Sequence, residues 1–275
     1  MASHRTREGS ADEHRLSVTS PDGTRLAVWI EGSGPPIVLV HGSMSDHATL
    51  AALTRELRST FTTYAMDRRG FGESGDATHY SLEREVEDVA AVADAAAERS
   101  GPPVAVFGHS FGANPALGAA TRGAHVSHLV LYEPSLGLRY PAGSIEEYER
   151  LIDAGDVEGA MRSILIDIAG MDERDVDGLR ASPSWPARLA SAPTVVRECR
   201  VEDGWSYRAG MFDGVTAAAL LLTGSDSPKE LVDTTYAAAA ALPHSRIEVL
   251  DGHGHFAYRT HPALVAAIVR EFLEA

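Results

Sequence analysis

A serine stands between two glycines in the segment Gly108-His109-Ser110-Phe111-Gly112, and its surroundings suggest a chemical role for it. The apolar run 103–107 before it predicts a buried strand, and the Ala/Leu-rich run 113–121 after it predicts a helix. So tight a turn leaves no room for side chains two residues before and after the serine, and only glycine is tolerated cheaply there. The helix N-terminus would also favour developing negative charge. The segment predicts a nucleophile elbow; a glycine-rich turn with an incidental serine is the alternative.

A serine hydroxyl needs a base to take its proton, and that base needs a carboxylate to orient it. The base is expected on the loop after the last strand, where the chain reads Gly252-His253-Gly254-His255. Because Gly254 allows a sharp turn directly before His255, we predict His255 as the base and His253 as a solvated loop residue. A His-x-His metal pair is the alternative, but the sequence offers no acidic or cysteine ligands at matching spacing, so no metal is expected.

The oxyanion that forms when the serine attacks a carbonyl needs two main-chain N–H donors. The first is the N–H of Phe111, the residue after the serine. The second is expected from the loop His41-Gly42-Ser43-Met44, where Gly42 lets the backbone bend toward the site. We predict Ser43 as this donor, with Met44 as the alternative.

Strand and helix signals alternate along most of the chain, which predicts an α/β protein with a largely parallel sheet covered by helices on both faces. The predicted strands are Leu16–Thr19, Thr24–Glu31, Pro36–Val40, Phe61–Met66, Pro103–Phe107, Val126–Tyr132, Ala218–Thr223 and Arg246–Leu250. Strand signals vanish between the sixth and seventh strands, and helical signals replace them. The predicted helices there are Ser144–Asp153, Val157–Ala169, Asp172–Ala181 and Trp185–Arg200. We predict a flexible tail at 1–13, a core formed by 14–135 and 216–275, and a helical lid at 136–215.

Four motifs, taken in order and spacing, resemble those of the α/β-hydrolase superfamily. They are His41-Gly42, Asp67 to Ser74, Gly108 to Gly112, and Gly252 to His255. The resemblance covers nearly the whole chain from His14 and implies an α/β-hydrolase fold, an eight-stranded, mostly parallel sheet with an inserted lid. In relatives, the loop Asp67–Ser74 shapes the floor of the site. Here a structural role, an Asp–Arg-stapled glycine turn, is expected rather than direct catalysis.

The orienting acid has two candidates. Many relatives place it three residues beyond a glycine after the strand that follows the lid, but here Gly224 is followed by Asp226 one position early. Asp226 also has a structural explanation, because Ser227 with Glu230 resembles a helix capping box. Glu133 ends an apolar strand, and some superfamily members place their acid there. Both candidates keep the order serine, acid, histidine; we predict Glu133, with Asp226 as the alternate acid.

These residues predict a serine hydrolase that cleaves a carboxylic ester or lactone through an acyl-enzyme on Ser110, without a cofactor. A serine nucleophile argues against haloalkane dehalogenases and epoxide hydrolases, which use a carboxylate. A thioesterase, C–C bond hydrolase, cofactor-free haloperoxidase or lyase on the same triad remains an alternative. A ligand-binding receptor on this fold is the alternative outside enzymes.

The lid supplies large apolar side chains, most of them expected in its own core and some around a pocket for a small, mainly apolar substrate. They are Met161, Ile164, Leu165, Ile168, Trp185, Trp205, Met211 and Phe212. Trp185 is therefore a candidate substrate-binding residue, together with His41 and His109. For His41, a packed and hydrogen-bonded histidine is the default expectation.

The composition excludes several classes of partner. A net charge of −15 disfavours nucleic acids and anionic membranes. The single cysteine, Cys199, excludes an intrachain disulfide and fits a reducing compartment, with a small buried thiol as its expected role. The polar start of the chain lacks a signal-peptide pattern, and no apolar run is long enough for a bilayer. We expect a cytoplasmic protein whose partner is a small-molecule substrate, with its oligomeric state left open.

Overall fold

The computed structural model describes residues 14–122, 125–167, 171–183, 185–208 and 210–275. The predicted tail 1–13, the end of the predicted helix 157–169 and the lid residue Ile168 lie outside the described residues.

Eight strands form one sheet. Their bounds are β1 Arg15–Thr19, β2 Arg25–Gly32, β3 Pro36–Val40, β4 Thr62–Met66, β5 Val104–His109, β6 Val126–Tyr132, β7 Ala218–Gly224 and β8 Ser245–Leu250. Their spatial order is β1-β2-β4-β3-β5-β6-β7-β8. The pairs β1–β2 and β2–β4 are antiparallel, and all the other neighbouring pairs are parallel. The predicted eight-stranded, mostly parallel sheet is confirmed.

Helices cover both faces of this sheet. Their bounds are α1 Ala51–Leu57, α2 Leu82–Ser100, α3 Ala113–Ala120, α8 Lys229–Ala240, α9 Ala257–Thr260 and α10 Pro262–Leu273. Strand side chains alternate between two apolar cores, since Val38 packs on the side of α2, α3 and α8, whereas Leu39 packs on the side of α1, α9 and α10. Among the described residues, none of the helices is long and apolar enough to cross a membrane.

The segment 136–215, which we call the helical insert, lies between β6 and β7. Its helices are α4 Ser144–Asp153, α5 Val157–Asp167, α6 Glu173–Arg180 and α7 Trp185–Asp203. Two apolar clusters hold these helices together, and Phe71 from the loop after β4 joins one of them. The end of the insert packs elsewhere, because Phe212 and Val215 are buried in the core formed by the sheet with α2 and α3. The division into core and lid at 215 stays a prediction.

The loop after β4 is held by charged side chains that are fully buried. Asp67 accepts hydrogen bonds from the N–H groups of Glu73 (2.7 Å) and His47 (2.8 Å). The Arg68 guanidinium pairs with Glu85 on α2 and with Glu198 on α7. These contacts give the charged motif the expected structural role, since they tie the helical insert to the sheet. The expected Asp–Arg staple is wrong, because Asp67 bonds to His47 and Glu73 while Arg68 pairs with two glutamates.

Helices α2 and α3 pack closely because Gly118 has no side chain. A Cβ on Gly118 would lie 2.2 Å from Cγ2 of Val86. We therefore expect Gly118→Ala to destabilise the protein by about 1–3 kcal/mol through overpacking. Gly178→Ala is the matched control, since a Cβ on this α6 glycine meets nothing within 4 Å and should gain up to about 1 kcal/mol of helix propensity.

The free energy of unfolding of the two variants, measured by urea denaturation, checks this prediction. If Gly118→Ala is as stable as Gly178→Ala, helices α2 and α3 can move apart to accept the methyl group without loss of stability, and the prediction is wrong.

Candidate active site

Ser110 lies in a strained turn at the end of β5. Its φ is +53°, a left-handed conformation that is uncommon for a residue with a side chain. A Cβ on Gly108 would lie 2.5 Å from Cα of Ala113, and one on Gly112 would lie 2.2 Å from the carbonyl oxygen of His41. Both contacts are with backbone, which cannot give way easily. The steric argument that predicted glycine at both positions is confirmed.

Glu133 is the carboxylate that the structure brings to His255. Its Oε2 lies 2.5 Å from Nδ1 of His255, and its Oε1 accepts from the Gly224 N–H at 2.8 Å and from the Thr223 hydroxyl at 3.0 Å. Burial alone would raise the pKa of the fully buried Glu133. The hydrogen bond and charge of His255, helped by the Ser227 hydroxyl and the Gly224 N–H, hold that pKa below its ordinary value.

This contact sets the tautomer of His255. Because an ionised carboxylate only accepts, Nδ1 carries the hydrogen, which leaves the lone pair of Nε2 free to act as a base. His255 and Ser110 line the same cavity. His253 does not reach Glu133; its ring lies 4.2 Å from that of His261. The arrangement has the components of a Ser–His–acid triad.

Asp226, the alternate acid, is not placed at His255. Its exposed side chain accepts a hydrogen bond from the Ser225 hydroxyl at 3.1 Å, and its N–H donates to the carbonyl of His253. The expected capping box is also wrong. A capping box would make Ser227 the N-cap and Pro228 the first helical residue. Pro228 is instead extended at ψ 135° and is itself the N-cap, so α8 begins at Lys229 without a side-chain cap.

The predicted oxyanion donors lie around Ser110. The N–H of Phe111 follows the serine directly in the turn, and Ser43 and Met44 both line the cavity. A Cβ on Gly42 would lie 3.0 Å from Cβ of Ser110, so this loop approaches the serine as closely as glycine permits. Met44 has a φ of +55°, a second strained residue. The assignment of Ser43 rather than Met44 as donor stays a prediction.

His41 is not placed to bind substrate. It is fully buried, and it lines neither of the two cavities near the site. Its Nδ1 lies 2.7 Å from the Gly42 carbonyl, and its Nε2 accepts from the Arg68 N–H. Burial, together with the charge of Arg68, lowers the pKa of His41 to about 3. It is a neutral structural histidine, as the default expectation had it.

Trp185 is likewise packed away from the site. It is 7% exposed and lies in an apolar cluster of the insert with Met161 and Val176, outside the lining of either cavity. Its position at the start of α7 turns the ring into the insert, so its proposed substrate contact is not observed.

His109 does line the cavity, although it is almost completely buried. Its Nε2 lies 2.9 Å from the main-chain carbonyl of His255, so this nitrogen must donate. Burial and the charge of His255 hold the pKa of His109 well below its ordinary value. Its ring also contacts Tyr258, with ring centroids 4.4 Å apart. The structure therefore gives His109 a role in supporting the loop of His255.

The cavity above Ser110 has a volume of about 370 Å³. Its surface is mostly apolar, and the larger apolar side chains come from the loop after β3, the insert, α8 and the loop after β8. They are Met44, Leu138, Ile164, Val195, Leu231 and Phe256. Cys199 also lines it; its buried thiol has a pKa raised by burial well above the ordinary value.

Sequence reasoning missed a polar group in this wall. Ser135, Tyr140 and Glu202 line the cavity, and the hydroxyl groups of Ser135 and Tyr140 both contact the Glu202 carboxyl group. One signal was available, because Glu198 and Glu202 stand four residues apart on the buried face of α7 with Val195. Carboxylates at helical spacing among buried apolar residues indicate a site that needs them.

Comparison with known proteins agrees with this architecture. The model of the alpha/beta hydrolase family matches residues 37–268, and the chain belongs to this family. Among solved structures, it is similar to an alpha/beta hydrolase from Sphaerobacter thermophilus DSM 20745, with 30% identity, a TM-score of 0.82, and coverage of 94% of this chain and 100% of that one.

Two further relatives are hydrolases by name. A thermophilic esterase from Thermogutta terrifontis has a TM-score of 0.72 at 20% identity, covering 94% of this chain and 98% of its own, a likeness that shows the fold. The uncharacterised hydrolase YraK of Bacillus subtilis (strain 168) is 24% identical, over 92% of this chain and 84% of its own.

The geometry of the two acids gives a direct test. We expect Glu133→Gln to reduce turnover severely, by up to about four orders of magnitude, because the amide favours the wrong tautomer of His255 and removes the partner of the imidazolium. Asp226→Asn is the matched control and should change turnover little, since Asp226 is exposed and bound to Ser225.

Steady-state hydrolysis of a short acyl ester, with folding of both variants checked by circular dichroism, measures the difference. If Asp226→Asn has the severe effect, the orienting role passes to Asp226; mild losses in both variants place the acid elsewhere.

Proposed function

We propose that this protein is a serine hydrolase that cleaves a carboxylic ester or lactone of a small, mainly apolar substrate. The observation that carries the proposal is the contact of Glu133 with Nδ1 of His255, in a cavity that also holds the strained Ser110. Membership of the alpha/beta hydrolase family supports a hydrolytic reaction. Esterases are among the proteins that share the fold.

The reaction proceeds in two steps. The Ser110 hydroxyl oxygen attacks the ester carbonyl carbon while Nε2 of His255 takes the hydroxyl proton, and the N–H groups of Phe111 and Ser43 stabilise the oxyanion. The tetrahedral intermediate collapses, His255 gives its proton to the leaving alcohol, and an acyl ester remains on Ser110. His255 then takes a proton from a water molecule, which attacks the acyl carbonyl carbon. The bond to the Ser110 oxygen breaks, His255 returns the proton to that oxygen, and the acid is released.

Each part of the site has a physical task in this sequence. The ionised Glu133 holds His255 in the tautomer that can accept a proton and stabilises the imidazolium that forms. Ser110 and Met44, two of the three described non-glycine residues with positive φ, fix the nucleophile and the oxyanion loop before the substrate arrives. No step requires a metal or an organic cofactor.

The cavity limits the substrate. A volume of about 370 Å³ suits a small molecule, and its mainly apolar wall favours acyl and alcohol groups with few charges. The helical insert supplies Ile164 and Val195 to this wall, so we infer that the insert selects the substrate.

A covalent probe tests the nucleophile. A fluorophosphonate should react once per protein chain, giving a phosphonylated Ser110 that intact mass spectrometry and peptide mapping detect. Ser110→Ala should not react. Ser45→Ala is the matched control, because Ser45 lines the same cavity on the loop after β3 and its removal should leave the labelling intact.

Hydrolysis of p-nitrophenyl butyrate should follow the same pattern, with Ser110→Ala falling to the background rate. Labelling or turnover that persists in Ser110→Ala overturns the acyl-enzyme mechanism. Labelling without turnover of any ester favours a binding protein that retains a reactive serine.

A further inference from the structure

A buried carboxylate lies in the wall of the cavity that holds Ser110 and His255. Glu202, near the end of α7, is only 4% exposed and lines this cavity together with Tyr140 and Ser135. The Tyr140 hydroxyl contacts one oxygen of the Glu202 carboxyl group, and the Ser135 hydroxyl contacts the other. The proton transfers proposed above use none of these three groups, so the cluster calls for a separate explanation.

The charges around Glu202 do not neutralise it. Among the described residues, it forms no ion pair, and Arg68, whose charge acts on it, is engaged with Glu85 and Glu198. Burial raises the pKa of Glu202 to about 8, and the negative charge of Glu198 adds to this rise. The hydrogen bonds from Ser135 and Tyr140 lower the pKa but do not cancel the effect of burial. The carboxyl group therefore keeps its proton at neutral pH.

A protonated carboxyl group changes the hydrogen-bond count of the cluster. It offers its own hydrogen to one of the two hydroxyl oxygens and can accept from the other hydroxyl alone. The hydroxyl group that accepts this hydrogen, on Tyr140 or on Ser135, can no longer donate its own hydrogen to the carboxyl group. Ser135 and Tyr140 both line the cavity, so a molecule inside it is the acceptor we expect for that hydroxyl hydrogen.

The neighbouring groups offer no strong acceptor for that hydrogen. Asn114 on α3 is already engaged, its Nδ2 donating to the Ser135 hydroxyl at 3.1 Å and its Oδ1 accepting from the Leu136 N–H at 3.2 Å. The thiol of Cys199, beside Tyr140, is a weak acceptor. A buried donor without a partner is costly, whereas a ligand oxygen would satisfy it.

We propose that Glu202, Tyr140 and Ser135 form a subsite that binds a neutral oxygen acceptor of the substrate, such as a ketone group, away from the ester carbonyl that Ser110 attacks. This inference rests on the proposed ester hydrolysis and narrows its substrates to oxo-substituted esters. An anionic group is disfavoured at this cluster, because Asp167 and Glu230 in the cavity lining carry negative charge, and Arg139 of the same lining is engaged with the main-chain carbonyls of Asp203 and Trp205.

Matched substrates test this subsite. One pair places the oxo group in the acyl part, p-nitrophenyl 5-oxohexanoate against p-nitrophenyl hexanoate. The other places it in the alcohol part, 4-oxopentyl hexanoate against pentyl hexanoate. At pH 7 we expect kcat/KM to be about tenfold higher for the oxo compound in one of the pairs, the size of effect that one buried hydrogen bond gives. The ω-amino and ω-carboxyl analogues of the acyl chain should lack this advantage.

The pH dependence identifies the group responsible. As the pH rises through about 8, Glu202 loses its proton. The ionised carboxylate then accepts hydrogen bonds from both hydroxyl groups, and neither hydrogen remains for a ligand. The preference for the oxo ester should therefore be present at pH 7 and fall toward unity at pH 9. Because His255 acts on both members of a pair, its contribution to the rate cancels in the ratio.

Three variants separate this subsite from a structural role. Glu202→Leu should lose the oxo preference at every pH. Glu202→Gln keeps the shape and stays a neutral donor, so its preference should persist at pH 9. Glu146→Gln is the control, since Glu146 is an exposed carboxylate of the insert that pairs with Arg200 on α7 and lies outside the cavity lining, and it should behave as the wild type.

A direct binding measurement does not depend on turnover. Calorimetry with heptan-2-one and the Ser110→Ala variant should show binding at pH 7 that weakens about tenfold at pH 9, and no such weakening when Glu202→Gln is added. If the protein hydrolyses plain esters through Ser110 but shows no preference for the oxo esters, the proposed subsite is wrong and the proposed hydrolase function is retained. An oxo preference in Glu202→Gln that still falls with pH would assign the titration to Glu198 and overturn the proposal.

Ketone binding that follows this pH dependence in a protein unable to hydrolyse any ester would have the opposite meaning. It would support the subsite and remove the proposed hydrolase activity. The two inferences are therefore separated by the experiment.

Discussion

The turn between β5 and α3 leaves no space for a side chain two residues before or two residues after Ser110, and the rest of the site is arranged around this restriction. A Cβ on Gly112 would collide with the main chain at the end of β3, so α3 begins in direct contact with the strand that leads into the oxyanion loop. The same packing brings Gly42 against Ser110. The predicted nucleophile and its predicted N–H donors are thus held together by close packing of the main chain, which a change in a side chain on the surface cannot loosen.

The orienting carboxylate depends on the neighbouring strand in the same way. Glu133 follows β6 at a φ of +47°, a strained conformation that turns its side chain toward the end of β7. There the Gly224 N–H and the Thr223 hydroxyl satisfy one carboxylate oxygen and leave the other for His255. The burial that makes this carboxylate costly is therefore compensated by donors that belong to the sheet itself.

Much of this could be predicted from the sequence, because the features concerned are local. Glycines that a turn requires, alternating strands and helices, and a carboxylate at a strand end all leave a signal in a few consecutive residues. His41 and Trp185 show the limit: whether a side chain points into a cavity or into the core depends on contacts with distant segments, such as the Arg68 N–H that occupies His41. The cluster of Ser135, Tyr140 and Glu202 escaped prediction for the same reason, since its members come together only when α7 packs beside the end of β6.

The two buried carboxylates of α7 show how one helix can serve both stability and selection. Glu198 lies against the Arg68 guanidinium and ties the helical insert to the loop after β4, even though burial raises its pKa to about 7. Glu202, one turn further along, contacts two hydroxyl groups and lines the cavity. Because the Arg68 guanidinium is paired with Glu198 and Glu85, Glu202 has no ion pair among the described residues. The lack of a positive partner favours the protonated form of Glu202. The electrostatics that fix the insert over Ser110 thereby also set the hydrogen-bonding character of the cavity wall.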